Sequence, residues 1–201
     1  MGLPARKTDR RYTYGDYRSW PEDERWELID GVAWNMSPAP SVDHQRVLGR
    51  LYRQIAGFLE GQKDTPCEVF LAAVDVLLPA SADQEMDEVD TVVQPDLLVV
   101  CDPARILPRG CWGAPDLAIE ILSPWTSKKD LADKHGLYAR HGVREYLILD
   151  PQGRWLHVYR LAPDRSYGDP EVYVLEPGRP VPRVPLEVLE GFDLDLARVF
   201  A

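Results

Sequence analysis

GAPDLAIEILSP, residues 113–124, contributes most to the predicted fold, because it holds an apolar run at 117–122 that is interrupted only by Glu120. Similar runs occupy residues 67–78 and 92–101, and each run is bounded by Pro, Gly or acidic turns. Runs of this length are too short for a typical helix and fit strands that are buried on both faces. The three runs therefore predict three strands of a buried sheet.

The segments before these runs predict a hairpin and a helix. RWELIDGVAWNM, residues 25–36, has two short alternating stretches around Asp30-Gly31, which is a strong signal for a β-hairpin. Ser41 then precedes a segment whose apolar residues recur at helical spacing until Gly61. Because the cap, the apolar stripe and the terminating glycine agree, we predict an amphipathic helix there.

The segments after the runs complete an α/β pattern. Ser127-Lys-Lys-Asp130 has the form of a capping box, and the helix that it opens is expected to end near His141-Gly142. Strands are predicted at 145–149 and 155–161, a candidate last strand at 167–175, and a packed tail ending in the segment 186–200. This order predicts a central mixed β-sheet flanked by helices, with an N-terminal β-hairpin.

Length and composition limit the architecture and the class of protein. With 201 residues, 45% of them apolar, residues 1–201 are expected to form a single domain. No stretch approaches the length of a membrane helix and the first residues lack the apolar segment of a secretory signal, so we expect a soluble, cytoplasmic protein. The three cysteines form no CxxC pair, and we expect them to be reduced, packed side chains.

The net charge argues against nucleic-acid binding by bulk charge. The chain has 23 basic and 33 acidic residues, which gives −10. Several of the acids lie together in SADQEMDEVD, residues 81–90, which is expected to be a solvated loop. The net charge therefore says little about a local groove.

Asp96 and Glu120 are the strongest candidates for a functional site. Each is a single carboxylate in an apolar strand, and burying an isolated charge costs several kcal/mol unless another group pairs with it. If the two strands are neighbours, both side chains can lie on one face and bind a hard divalent ion such as Mg²⁺. Asp116 is a weaker partner for Glu120, because four residues along a strand span roughly 13 Å. The alternative for the pair is a buried polar network that stabilises the fold.

Lys134 is out of pattern in the second helix. With Leu131, His135 and Tyr138 it falls at i, i+3, i+4 and i+7, on the stripe that faces the sheet. Its ammonium group could orient an attacking water or stabilise the charge on a phosphate in the transition state. The alternative is a lysine whose stem packs at the helix edge while its charge reaches solvent.

These motifs together resemble a large bacterial family of restriction-endonuclease-like proteins within the PD-(D/E)XK superfamily, formerly a domain of unknown function. The resemblance covers about residues 12–200, and it is carried by four motifs: RWELIDGVAWNMSP (25–38), QPDLLVV (94–100), GAPDLAIEILSP (113–124) and DLADKHGLYARHGVREYLILDP (130–151).

The resemblance implies a restriction-endonuclease-like fold, a divalent metal (Mg²⁺ or Mn²⁺) and hydrolysis of DNA phosphodiester bonds. It matches Asp96 and Glu120 to the acids of the superfamily signature, whose lysine position is Leu122 here. Lys134 fits the role of a lysine that has moved to the next helix, and Glu27 matches a further acid near the metal.

The remaining candidate residues each have a functional and a structural interpretation. His44, at the start of the first long helix, is a candidate secondary site residue or a structural histidine. Arg46, Arg50 and Arg53 could contact DNA phosphates or form a solvated row. The main functional alternative is a catalytically inactive nuclease-fold module that binds nucleic acid or a protein partner. A homodimer is expected if both strands of a duplex are cut.

Overall fold

The computed structural model describes residues 6–7, 9–21, 23–36, 40–122 and 128–201, without the side chains of Arg6 and residues 128–132. The described strands are, in chain order, β1 (Arg6–Lys7), β2 (Trp26–Ile29), β3 (Val32–Asn35), β4 (Glu68–Leu71), β5 (Val76–Leu77), β6 (Val92–Val93), β7 (Leu97–Val100), β8 (Ile106–Leu107), β9 (Gly110–Trp112), β10 (Leu117–Ile121), β11 (Glu145–Asp150), β12 (Trp155–Arg160), β13 (Glu171–Val174), β14 (Arg183–Pro185) and β15 (Asp193–Asp195). The described helices are α1 (Tyr14–Tyr17), α2 (Val42–Glu60), α3 (Lys128–His141) and α4 (Leu196–Val199).

The central sheet has six strands in the order β13-β12-β11-β10-β7-β4. It is mixed, because β10 and β11 run parallel while its other neighbours are antiparallel. Side chains of α2 pack on one face, with Leu97 and Ile119, and side chains of α3 pack on the other face, with Leu98 and Ala118. The predicted α/β fold with a mixed sheet between helices is confirmed.

A second sheet of seven strands, in the order β1-β3-β2-β6-β5-β9-β8, contains the N-terminal hairpin. The prediction of one continuous strand at 67–78 and another at 92–101 was wrong, because each run is divided between the two sheets. β4 and β7 lie in the central sheet, whereas β5 and β6 lie in the second sheet. Both halves of each run are largely apolar, so hydrophobicity does not reveal the break. In the second run the break falls at Pro95, which lacks the backbone N–H that a strand interior uses.

The hairpin predicted around Asp30-Gly31 is present. β2 pairs with β3 antiparallel, with Ile29 opposite Val32. Asp30 and Gly31 both have positive φ angles, 48° and 73°. A two-residue turn with positive φ at both positions twists in the same sense as the strands that it joins. The hairpin therefore holds β2, and with it Glu27, in a fixed register beside β6.

The two long helices agree with the predicted segments. α2 begins after Ser41, whose side chain accepts a hydrogen bond from the backbone N–H of His44. α3 ends at His141, and Gly142 follows with φ of 94°. Ser127, the first residue of the predicted capping box, and the side chains of the rest of that motif lie outside the described residues. Of the helices described, none has the length and apolar composition needed to span a membrane.

Cys67 and Cys101 form a disulfide bond, so the expectation of three reduced cysteines was wrong. Glu68 in β4 lies opposite Val100 in β7, and one further step of that register brings the two cysteines together. The two cysteines are 34 positions apart in the chain, so no local sequence signal reveals the pairing. The remaining cysteine, Cys111, is free and buried, and burial raises the pKa of its thiol to about 11.

Candidate functional site

Asp96 and Glu120 lie on neighbouring segments of the central sheet. β7 and β10 are antiparallel with Leu98 opposite Ala118, and two further steps of this register bring Asp96 opposite Glu120. Glu120 follows Ala118 by two residues on the face that packs against α3, and its carboxylate contacts Lys134 and Tyr138 of that helix. Asp96 directly precedes β7, and its carboxylate contacts His44 of α2.

Lys134 lies between two of the predicted acids. Its Nζ donates hydrogen bonds to Oε1 of Glu120 and to Oε1 of Glu27, both at 2.8 Å. The three residues are only 6–8% exposed. Tyr138, one helical turn after Lys134, donates its hydroxyl to the same Glu120 oxygen at 2.8 Å. The structure thus places Lys134 on the helix face that its spacing predicted and joins the hairpin, the central sheet and α3 through one ammonium group.

The environment of Glu120 raises the pKa of its carboxyl group above the ordinary value. Burial raises the pKa of this carboxyl group to about 7, and the charge of Lys134 opposes that shift. The charges of Asp96 and Glu27 raise the pKa further. Burial lowers the pKa of Lys134, but the charges of Glu120 and Glu27 outweigh burial and raise it, so the lysine stays protonated. The site therefore concentrates negative charge around one fixed cation.

His44 contacts Asp96 from the first turn of α2. Its Nε2 lies 3.1 Å from Asp96 Oδ2, and the same oxygen accepts a hydrogen bond from the backbone N–H of Ile121 at 2.8 Å. Because a carboxylate oxygen accepts hydrogen bonds, we assign the imidazole hydrogen to Nε2. His44 is only 5% exposed. It fixes the orientation of the Asp96 carboxylate and leaves the other oxygen, Oδ1, without a partner among the described residues.

All five predicted residues, Glu27, His44, Asp96, Glu120 and Lys134, therefore lie in one connected neighbourhood. Asp116, considered as an alternative partner of Glu120, instead accepts a hydrogen bond from the backbone N–H of Cys101 at 2.8 Å and an ion pair from Arg144. These contacts make Asp116 part of the strand framework rather than of the carboxylate cluster.

The sequence interpretation missed Gln94 and the polar role of Tyr138. The backbone N–H of Gln94 donates to Glu27 Oε1 at 2.8 Å, and that contact fixes Glu27 against the chain two residues before Asp96. Tyr138 was assigned only to the apolar stripe, although its position four residues after Lys134 is a signal that it shares the lysine's surroundings. No sequence signal identifies Gln94, because its contribution comes from the backbone.

The donor atoms in this site match the chemistry of a hard divalent cation. Glu120 supplies carboxylate oxygens from β10 and Asp96 from the connection that directly precedes β7, and the repulsion of Glu120 by Asp96 is the kind that a cation relieves. Within the parts of the chain that the structure describes, no three His, Cys, Asp or Glu side chains are grouped to hold a metal ion. Mg²⁺ is usually held by one or two carboxylates together with substrate phosphates, so a carboxylate pair is compatible with it.

Comparisons with known proteins agree with this picture. The chain matches the model of the Uma2 family, described as "Putative restriction endonuclease", over residues 14–197. Among solved structures it is similar to one titled as a putative nuclease of the DUF820 family from Anabaena variabilis, with 20% identity and a TM-score of 0.72 over 94% of this chain and 97% of the other. A search of curated proteins finds no match. The structural likeness supports the fold, and the family match shows that the chain belongs to the Uma2 family of restriction-endonuclease-like proteins.

Proposed function

We propose that the protein is an endonuclease that hydrolyses DNA phosphodiester bonds with the help of Mg²⁺ or Mn²⁺. The observation that carries the proposal is the buried Lys134 ammonium, bonded to Glu27 and Glu120. Burying three charged groups is costly, and replacing them with apolar residues is often neutral or stabilising. A cluster of this kind beside a further acid, Asp96, is therefore better explained by a role in catalysis than by a contribution to the stability of the fold.

In this proposal Asp96 and Glu120 hold the metal ion. The bound cation would lower the pKa of a coordinated water and polarise the phosphate. His44 keeps the Asp96 carboxylate in a single orientation, and Tyr138 does the same for Glu120. An ammonium group has three N–H donors, of which Lys134 gives two to glutamates. The third has no acceptor among the described residues, and in this proposal it orients the attacking water or stabilises negative charge on the phosphate.

The second candidate function is a nuclease-fold module that binds nucleic acid or a protein partner without turnover. It is favoured by the absence of a lysine two residues after Glu120, where Leu122 stands, and by the net charge of −10. In this reading Lys134 serves only to neutralise Glu27 and Glu120. The two functions make the same use of the fold and differ in whether DNA is cut.

We further propose a homodimer, a cytoplasmic location and a single domain over residues 1–201. A two-fold axis would place one site on each strand of a duplex.

The test is titration of Mg²⁺ and of Mn²⁺ into the wild type and the variants Asp96→Asn and Glu120→Gln, followed by incubation of each protein with plasmid and single-stranded DNA. These variants keep the side-chain shape and remove the charge. Asp133→Asn is the matched control, because Asp133 is exposed and directly precedes Lys134. The proposal expects binding and cleavage by the wild type and the control and their loss in both variants.

Metal or DNA binding without cleavage by the folded wild type would favour the inactive module. Cleavage that persists in Asp96→Asn and Glu120→Gln would show that the site has been assigned to the wrong residues.

A further inference from the structure

A cleft adjoins the carboxylate cluster. It has a volume of about 550 Å³, which lies in the range of small-molecule binding sites. The two sites are connected through Gln94, whose side chain lines the cleft and whose backbone N–H donates to Glu27 Oε1 at 2.8 Å. A ligand in this cleft would therefore lie beside the proposed site of hydrolysis.

One wall of the cleft is aromatic. Tyr17, Trp20 and Trp26 line it together with Tyr14 and Phe70. Their rings hold one another in place, with centroids 5.8 Å apart for Tyr17 and Trp20 and 5.6 Å apart for Trp20 and Trp26. A preformed aromatic surface suits a flat ring, and stacking on such side chains is a common way for proteins to bind an unpaired nucleobase.

The inner wall is polar and its hydrogen bonds are nearly all satisfied within the protein. Asp75 Oδ1 accepts from the Tyr17 hydroxyl at 3.0 Å and from Gln94 Nε2 at 2.8 Å, and Arg25 donates to Gln94 Oε1 at 2.9 Å. The second carboxylate oxygen, Asp75 Oδ2, accepts no hydrogen bond from the described residues. It is a fixed acceptor that a ring N–H or an exocyclic amine can use.

Arginine side chains lie at the rim of the cleft, and Glu24 also lines it. Arg109 is exposed there, and within the described ranges it has no ion pair or hydrogen bond. Arg18 also lines the cleft and is paired with the exposed Asp87. An arginine without a partner beside an aromatic cleft matches a ligand that carries both a flat ring and a phosphate.

We propose that this cleft binds one unpaired nucleotide of the substrate strand, with its base against Tyr17 and Trp20, its edge at Asp75 and its phosphate at Arg109. The proposal rests on the proposed nuclease function, since it identifies the substrate as a strand with an extruded or single-stranded nucleotide next to the cleaved bond. A nucleotide extruded from a duplex, or already single-stranded, can enter such a pocket, whereas a stacked base pair cannot.

The first test is binding in the absence of metal, followed by tryptophan fluorescence because Trp20 and Trp26 line the cleft. The probes are the four deoxynucleoside 5′-monophosphates and deoxyribose 5-phosphate, which has the phosphate without the base. We expect saturable binding of at least one nucleotide, about tenfold or more tighter than binding of deoxyribose 5-phosphate, because only the nucleotide has a base that stacks on Tyr17 and Trp20. Absence of nucleotide binding, or equal binding of the sugar phosphate, would overturn the proposal.

Variants then locate the bound nucleotide. Arg109→Gln is expected to weaken binding about tenfold or more, since it removes a charge-assisted contact to the phosphate. Arg179→Gln is the matched control, because Arg179 is exposed and does not line the cleft. Leu107→Trp, which fills the cleft from its partly buried wall, is expected to abolish binding while the circular dichroism spectrum stays unchanged. Nucleotide binding by a folded Leu107→Trp protein at the wild-type affinity would place the ligand elsewhere.

The same variants separate this proposal from the nuclease function. Nucleotide binding by a wild type that cleaves no DNA would support the cleft and refute the nuclease function. Cleavage of single-stranded DNA by Leu107→Trp with unchanged KM and kcat would refute the role of the cleft and leave the nuclease function standing.

Discussion

Lys134 is the residue on which the candidate site depends most. It is the cation that separates Glu27 from Glu120, and all three side chains are buried. Removing one partner from a buried ionic cluster leaves an uncompensated charge, whereas the intact cluster adds little to stability. The arrangement therefore predicts a large and pH-dependent effect for a substitution that removes only the charge of Lys134.

Lys134→Met should lower the free energy of unfolding at pH 8 by about 3–5 kcal/mol. The folded-state pKa of Glu120 is already raised to about 7, from 4.5, and loss of the ammonium raises it further. A group whose pKa is raised on folding favours the folded state below its unfolded pKa, and this contribution is lost as pH rises through the folded pKa. The destabilisation should therefore be much smaller at pH 5, where Glu120 is protonated.

Urea denaturation of the wild type and Lys134→Met at pH 5 and pH 8 measures this difference. Lys63→Met is the matched control, because Lys63 is exposed and should give the wild-type result at both pH values. A loss of equal size at pH 5 and pH 8 would mean that lost packing, and not unpaired negative charge, explains the effect.

The sequence pattern identifies some residues of the site and misses others. Asp96 and Glu120 stand out because they are lone acids in apolar runs, and Lys134 because it interrupts an apolar stripe. Gln94 does not stand out, because it contacts Glu27 through its backbone N–H, which does not depend on the type of side chain. Sequence patterns reveal side chains that break a periodicity, and they miss contacts made by the main chain.

At the scale of elements, the hairpin turn fixes the position of Glu27. Gly31 has φ of 73°, and a Cβ atom there would lie 2.8 Å from Arg11 Cδ. Gly31→Ala should therefore lower the free energy of unfolding by about 1–2 kcal/mol. Gly57→Ala is the matched control, because Gly57 lies inside α2 with open space around it. That control should stabilise the protein by about 0.5–1 kcal/mol.

Thermal unfolding of both variants checks this prediction, with DNA cleavage as a second measurement. If Gly31→Ala were as stable as the wild type, the left-handed turn would not be required.

The disulfide links β4 to β7, the strand that leads away from Asp96. For cysteines 34 residues apart, the chain-entropy argument gives a stabilisation of about 4 kcal/mol. Cys101→Ser should lose up to about that amount in urea denaturation without reductant, and added dithiothreitol should lower the stability of the wild type but have little further effect on the variant. Thiol titration of the denatured, unreduced wild type should find only Cys111, and finding three thiols would contradict the bond.

The elements themselves were predicted unevenly, for a physical reason. The hairpin, α2 and the end of α3 follow from short-range signals: a turn dipeptide, a cap and a terminating glycine. The division of residues 67–78 and 92–101 between two sheets does not, because both halves of each run are largely apolar in sequence, although β4 is only partly buried. Which sheet a strand joins depends on partners that are distant in the chain, as the Cys67–Cys101 bond also does.

At the scale of the whole molecule, the net charge of −10 means that the proposed binding of DNA needs a local basic surface. Arg50 and Arg53 of α2 line a cleft of about 390 Å³ together with Arg183 and Arg198. Arg53 has no ion pair among the described residues, although Asp193 and Asp195 also line this cleft. This surface includes two members of the arginine row that the sequence suggested for phosphate contacts.

Arg50→Gln/Arg53→Gln should weaken binding of duplex DNA and reduce its dependence on salt. Each phosphate contact contributes about 0.9 to the slope of log K against log salt concentration, so the double variant should lose up to about 1.8 from the wild-type slope. Fluorescence anisotropy at several salt concentrations measures it, with Arg179→Gln as the control. An unchanged slope would place the phosphate contacts on another surface.

The division of the chain between two sheets has a consequence for how the protein loses its activity when it is destabilised. Glu27 belongs to the second sheet, Glu120 to the central sheet, and Asp96 to the short connection from β6 to β7. The distances between the three carboxylates therefore depend on how the two sheets are positioned relative to each other. A small slip at this junction would leave every strand and helix intact and still disperse the charges around Lys134. With rising temperature or denaturant concentration, the proposed DNA cleavage should accordingly be lost before the secondary structure is.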